Sequence, residues 1–163
     1  MRGRVRHLSL ACAVTLVPEL GFATDGGPPV REEAPPRAGA GPRMNTMKIR
    51  LTLDGTSVTA TLADNASVRD FVAQLPMKLT LEDYASTEKI AYLPKKLSTT
   101  DAPPGIDPEI GDITYYAPWG NLAIFYRDFA YSAGLIKLGH IDAGIDALRA
   151  PRRMQVTIEA VEK

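Results

Sequence analysis

Two alternating runs on either side of Asp54-Gly55 restrict what this chain can fold into more than any other feature. Lys48 to Asp54 places Ile49, Leu51 and Leu53 on one side, and Ser57 to Ala63 does the same with Val58, Ala60 and Leu62. Successive side chains of a strand point to opposite faces, so a period of two marks a strand with one buried face. Asp-Gly between two such runs predicts a tight hairpin, because the favoured two-residue turn needs positive φ at both central positions. An isolated hairpin is at best marginally stable, so further strands must pack with it.

The following residues supply them. Asp64-Asn65-Ala66-Ser67 offers capping side chains, Val68, Phe71, Val72 and Leu75 recur at helical spacing, and Pro76 stops the run. This predicts one α-helix over about residues 65–75. Lys78 to Glu82 returns to period two, and a strand containing Ile90 and Tyr92 ends near Leu93. Ser98 to Gly111 holds three prolines and two glycines and predicts a long loop. Further strands are expected over 110–116, 122–126, 137–141 and 154–161, with a short helical turn near 143–148. Seven or eight strands with one clear helix predict a mainly β fold, a closed antiparallel barrel, since closure removes exposed strand edges.

Composition divides the chain near Met44 to Lys48. All seven lysines lie at or after Lys48, and ten of the eleven aromatic residues lie after position 70. Residues 1–23 combine Arg2, Arg4 and Arg6, an uncharged run from Leu8 to Val17, and Gly21-Phe22-Ala23 as a cleavage signal, which reads as a secretory signal peptide. The run is too short to span a membrane, which takes about 20 apolar residues. Residues 24–46 contain five prolines, four glycines and a single aliphatic side chain, Val30, a composition expected to stay disordered. The alternative is a leader ahead of an internal start at Met44 or Met47. The first reading implies a periplasmic or secreted protein, the second a cytoplasmic one. The folded domain is expected over 47–163. It has no cysteine, Cys12 being the only one in the chain, so it holds no disulfide.

The stretch Gly111-Asp-Ile-Thr-Tyr-Tyr-Ala-Pro-Trp-Gly-Asn-Leu-Ala-Ile-Phe-Tyr126, followed by Leu138-Gly-His-Ile141, resembles the bacterial cyclophilin-like domain family. The opening hairpin, the helix ending at Leu75-Pro76 and the Lys78-Leu-Thr-Leu81 strand fit the same family in order. The resemblance implies a closed barrel with helices at its ends. Cyclophilins proper are peptidyl-prolyl isomerases. Their Gln-rich segment and Met-Ala-Asn strand have no counterpart here, and only by analogy do Leu122 to Tyr126, with Arg127 after them, stand where cyclophilins carry a pocket strand. Family likeness alone does not supply an activity.

The residues themselves exclude several chemistries. No P-loop, no Gly-x-Gly-x-x-Gly, no His/Cys metal spacing and no nucleophile elbow is present, so no cofactor and no metal ion is expected. From Met47 onward 13 Lys+Arg face 15 Asp+Glu, with no basic stripe, which argues against nucleic acid as a partner. Arg149 to Arg153 reads as a solvated basic loop. The candidates are an aromatic tract and its neighbours. Trp119, in a Pro-Trp-Gly-Asn turn, either stacks on a ligand or plugs the barrel end. Asn121 bonds a ligand or its own turn. Tyr116 and Tyr126 are expected on the face opposite Tyr115 and Phe125, one set forming core and the other, with Tyr131 and Phe129, a groove. His140 is the domain's only histidine, with Asp142 two residues on. Glu82, Asp83 and Glu88 are read as an acidic patch near Tyr84. The expected function is non-covalent binding of a peptide or small ligand; the alternative is a divergent prolyl isomerase with Arg127 or Arg50 as donor.

Overall fold

The Asp54-Gly55 turn forms as the sequence requires. Asp54 has φ 44 and Gly55 φ 90. They join β1 (Lys48–Leu53) to β2 (Thr56–Leu62), with Leu51 opposite Val58 and Ile49 opposite Ala60. The computed structural model describes residues 46–161. The proposed signal peptide, Cys12 and nearly all of the Pro/Gly-rich segment lie outside the described residues.

After β2 comes α1 (Ala66–Val72), then β3 (Met77–Tyr84), β4 (Glu88–Tyr92), β5 (Gly105–Ile106), β6 (Asp112–Tyr116), β7 (Asn121–Phe125), β8 (Ser132–Ala133) and β9 (Leu135–Ala143). A 3₁₀ turn over Ile145–Leu148 leads into β10 (Met154–Ala160). Eight strands close a barrel in the order β1-β10-β3-β4-β7-β6-β9-β2, with every pair antiparallel. The short β5 and β8 form a separate ribbon within the long loops.

The alternating positions of β1 and β2 bury Ile49, Leu51, Leu53, Val58, Ala60 and Leu62 in the barrel interior. The helix closes part of that interior. The Asn65 side chain caps it, accepting from the Val68 N–H at 2.9 Å, and its Nδ2 donates to the Lys137 carbonyl at 3.0 Å. The capping bond satisfies one of the orphan donors of the first turn. Val68 and Phe71 then point into the core. The helix is shorter than the sequence predicts. Beyond Val72 the bonds tighten to i→i−3, from Gln74 to Phe71 and from Leu75 to Val72. Pro76 disfavours helical geometry at the residue before it, which unwinds the last turn.

Strand β7 is buried along its whole length. One face is barrel core. The other lies beneath a small outer cluster of Ala123, Phe125 and Leu135, packed by Ile90, Ile106 and Tyr116. The β5–β8 ribbon helps cover this outer face, and Gly105 permits its close pairing: a Cβ there would clash with the Ser132 carbonyl oxygen. The outer wall over β4, β7, β6 and β9 is thus apolar, and the candidate site forms there.

Candidate functional site

The β6–β7 register decides which aromatic residues share a face. Tyr115 pairs with Leu122 and Tyr116 with Asn121. Ile113, Tyr115, Leu122, Ile124 and Tyr126 therefore belong to the barrel interior, whereas Tyr116, Ala123 and Phe125 belong to the outer cluster. This corrects the expected grouping of Tyr116 with Tyr126. Alternation holds within each strand, but the turn length sets how the two strands match.

The connecting turn holds Trp119 against the outer wall. The Gly120 N–H donates to the Tyr116 carbonyl at 2.8 Å. The Trp119 ring is about half exposed (48%), so it does not plug the barrel end. It meets Tyr84 at 5.7 Å and 86°, and Tyr116 at 5.4 Å and 80°, both edge-to-face. Tyr84 ends β3 and Glu88 begins β4, directly opposite each other. Phe129 lies 5.9 Å from Phe125 at a 30° tilt. These side chains line a pocket of about 180 Å³, with Asn121, Ala123, Ser132 and Leu135 completing its walls.

Two polar groups in the pocket lack partners. Glu88 makes no side-chain hydrogen bond or ion pair among the described residues, and burial pushes its carboxyl up to about 7. Asn121 is 2% exposed; its Nδ2 donates to the Leu122 carbonyl at 3.3 Å, and its Oδ1 has no partner. Ionising Glu88 in the folded protein opposes folding. Its folded value lies above the unfolded one near 4.3, so this penalty is absent in acid and grows as pH rises from about 4 to 7. Glu88→Gln should therefore stabilise the protein at pH 8 by about 1 kcal/mol after solvent screening, and by much less at pH 4. Urea unfolding at the two pH values measures this; equal effects at both would contradict it.

Of the sequence candidates, Trp119, Asn121 and Tyr116 come together in the pocket, as does Phe129 from the aromatic tract. Tyr126 does not. It is buried in the core, donates to Asp83 at 2.7 Å, and burial together with that carboxylate pushes its hydroxyl up to about 12. Arg127 is exposed just beyond β7, and among the described residues neither it nor another arginine lines the aromatic pocket. Arg50 is exposed on β1. Among the described residues, the pocket therefore holds no arginine of the kind the isomerase reading would use as a donor. Tyr131 is exposed and outside it.

His140 is also elsewhere, and its partner is not Asp142. Its Nδ1 lies 2.8 Å from Asp112, whose buried carboxylate also takes Lys137 at 2.7 Å. Burial pushes the Asp112 carboxyl up, but these bonds and the Glu109 N–H outweigh it and hold it below the usual range. Asp142 falls at a register shift between Thr59 and Ala60 and instead binds Lys48 and Thr61. Such bulges break the i, i+2 alternation on which the expected pairing rested. The acidic trio is dispersed as well. Glu82 pairs with Arg153, Asp83 with the buried Lys89, and only Glu88 reaches the pocket. Arg149 and Arg152 likewise pair with Asp146 and Asp54 at the surface.

Sequence reasoning missed Tyr84 and Glu88 as partners of Trp119. The turn that sets them opposite each other has Ala85 at φ 49 and Ser86 at φ 54, without a glycine, proline or asparagine to announce it. A second cleft of about 310 Å³ lies between α1 and β2, lined by Met47, Leu62, Val68 and Val72. Its arginine, Arg69, is paired with Asp64 at 3.1 Å.

Comparison with known proteins bears on the fold. A family model described as the cyclophilin-like family matches residues 51–159. A hypothetical protein from Archaeoglobus fulgidus, solved in solution, superposes with a TM-score of 0.52 at 19% identity, over 74% of this chain and 98% of its own. McbB, solved in complex with tryptophan, gives a TM-score of 0.42 at 16% identity, over 68% of this chain and 44% of its own. No curated protein matches the sequence.

Proposed function

The chain belongs to the cyclophilin-like family, and we propose that it is a non-covalent binding module whose recognition site is the aromatic pocket on the outer barrel wall. One observation carries this reading: Tyr84, Trp119 and Phe129, each more than 40% exposed, converge with Tyr116, Phe125 and Glu88 on a single concavity. Isolated exposed apolar side chains are ordinary on a protein surface, but a contiguous rimmed patch marks a contact site. At about 180 Å³ the pocket is smaller than the roughly 300–1,000 Å³ that encloses a drug-sized molecule. It suits a small headgroup or one side chain of a peptide. The lining groups supply stacking, hydrogen bonds and one carboxyl.

Trp119 is the only tryptophan of the chain, so its emission reports on the pocket alone. A fragment panel of neutral aromatics, carboxylates and amines, scored by melting temperature and by Trp119 emission, tests the proposal. Hits that raise the melting temperature are expected to shift the emission as well. Hits that leave the emission unchanged, or a panel without hits, would contradict it.

A further inference from the structure

We infer that the ligand of this pocket is an organic ammonium group, held by the rings of Tyr84, Tyr116 and Trp119 with Glu88 as its counter-ion. The inference rests on the reading of the pocket as a binding site and names its ligand class.

The rings are the first argument. Trp119 stands nearly at right angles to both Tyr84 and Tyr116, so the walls face in different directions. Aromatic faces carry negative potential and attract cations within about 6 Å of the ring centroid, most strongly when the cation sheds water. Several differently oriented rings around one concavity favour a compact cation over a flat aromatic ligand, which needs parallel walls.

Charge is the second argument. Among the described residues, Glu88 is the only carboxyl or cationic side chain lining the pocket, and no cation among them pairs with it. The neighbouring Lys89 turns into the barrel, 2.9 Å from Asp83. The other ionisable lining groups are Tyr84 and Tyr116. An anionic ligand would meet Glu88 as a like charge. A neutral apolar ligand would bury the carboxyl further with nothing to compensate it. An ammonium group supplies the missing counter-charge at the point where desolvation is already partly complete. Two sources share this chemistry: a free small amine, and the methylated ammonium of a lysine side chain in a peptide.

Calorimetry on the full chain separates the possibilities. The probes are choline, its uncharged carbon isostere 3,3-dimethylbutanol, and matched peptides carrying lysine or trimethyl-lysine. Choline, or the trimethyl-lysine peptide over the lysine peptide, is expected to bind about tenfold or more tighter than the neutral isostere. Which of the two binds tighter identifies the source. Glu88→Gln should remove most of that preference by weakening choline far more than the neutral isostere, a charge-selective loss that a folding defect would not produce. Equal binding of choline and 3,3-dimethylbutanol, with the trimethyl-lysine peptide no tighter than its lysine partner, would overturn the ammonium assignment and leave the binding site standing. Silence from all four probes, together with a fragment panel without hits, would overturn both.

Discussion

Lys89→Met is expected to destabilise the protein by about 3–5 kcal/mol, a large share of the roughly 5–15 kcal/mol that holds a domain of this size together. Lys89 is fully buried, and its ammonium spends its donors on Asp83 at 2.9 Å, the Ala150 carbonyl at 2.6 Å and the Arg152 carbonyl at 3.1 Å. Tyr126 completes the network by donating to the same Asp83 oxygen at 2.7 Å. The group joins β3, β4 and the end of β7 to the segment that leads into β10. Methionine fills a similar volume but leaves two carbonyls without a donor and a carboxylate without its cation. The effect carries a pH signature. The hydrogen bonds from Tyr126 and Lys89 hold the Asp83 carboxyl below the usual range, so its contribution is complete above the unfolded value near 3.9 and is lost as pH falls through the folded value. The deficit of the variant should therefore shrink in acid. Urea unfolding of the full chain measures both. Lys78→Met, on the exposed side of β3, serves as control and should stay within about 0.5 kcal/mol. A Lys89 variant as stable as that control would contradict the account of the network.

The second large effect is expected from Phe71→Ala, at about 3–5 kcal/mol. Phe71 is 0% exposed and is the largest side chain that α1 sends into the barrel core. The helix has only seven residues, too few to be stable by itself, so its order depends on this anchor and on the Asn65 cap. Removing the ring leaves a cavity between the helix and the strands around it, and the closed barrel limits how far its walls can collapse into that space. Phe71→Leu keeps most of the volume and should lose less than about 1.5 kcal/mol. Denaturation midpoints for the pair test this. Equal, small losses would mean that the helix is an appendage rather than part of the core.

Much of the barrel was legible because one face of most strands is apolar and the other polar. β1, β2, β3 and β10 follow that rule, and their core residues can be read off the alternation. The rule fails where the outer wall is itself covered. In β4 the inward residues are Lys89 and Ala91, while the more apolar Ile90 faces the outer cluster, so the pattern reads inverted. β7 is apolar on both faces and gives no direction at all. The short ribbon β5–β8 lies inside segments that read as loops, since two-residue strands have no period to detect.

The site was half legible for related reasons. Trp119, Tyr116 and Asn121 stand out because they flank a recognisable turn. Tyr84 and Glu88 do not, because the β3–β4 turn uses Ala85 and Ser86 at positive φ and has no glycine, proline or asparagine there. Tyr126, Arg127 and His140 were singled out by residue type, yet a tyrosine or histidine is as useful in a buried polar network as in a ligand site. Pairing register and bulges, which depend on the closed barrel, decide between those uses.

The central claim is that the outer aromatic pocket receives an ammonium-bearing ligand. Intermolecular nuclear Overhauser contacts between choline methyl protons and the protein test it most directly. The account predicts contacts to the ring protons of Tyr84, Tyr116 and Trp119 and to the Ala123 methyl group. Contacts confined to Val68 and Val72, beside the cleft next to α1, would contradict it.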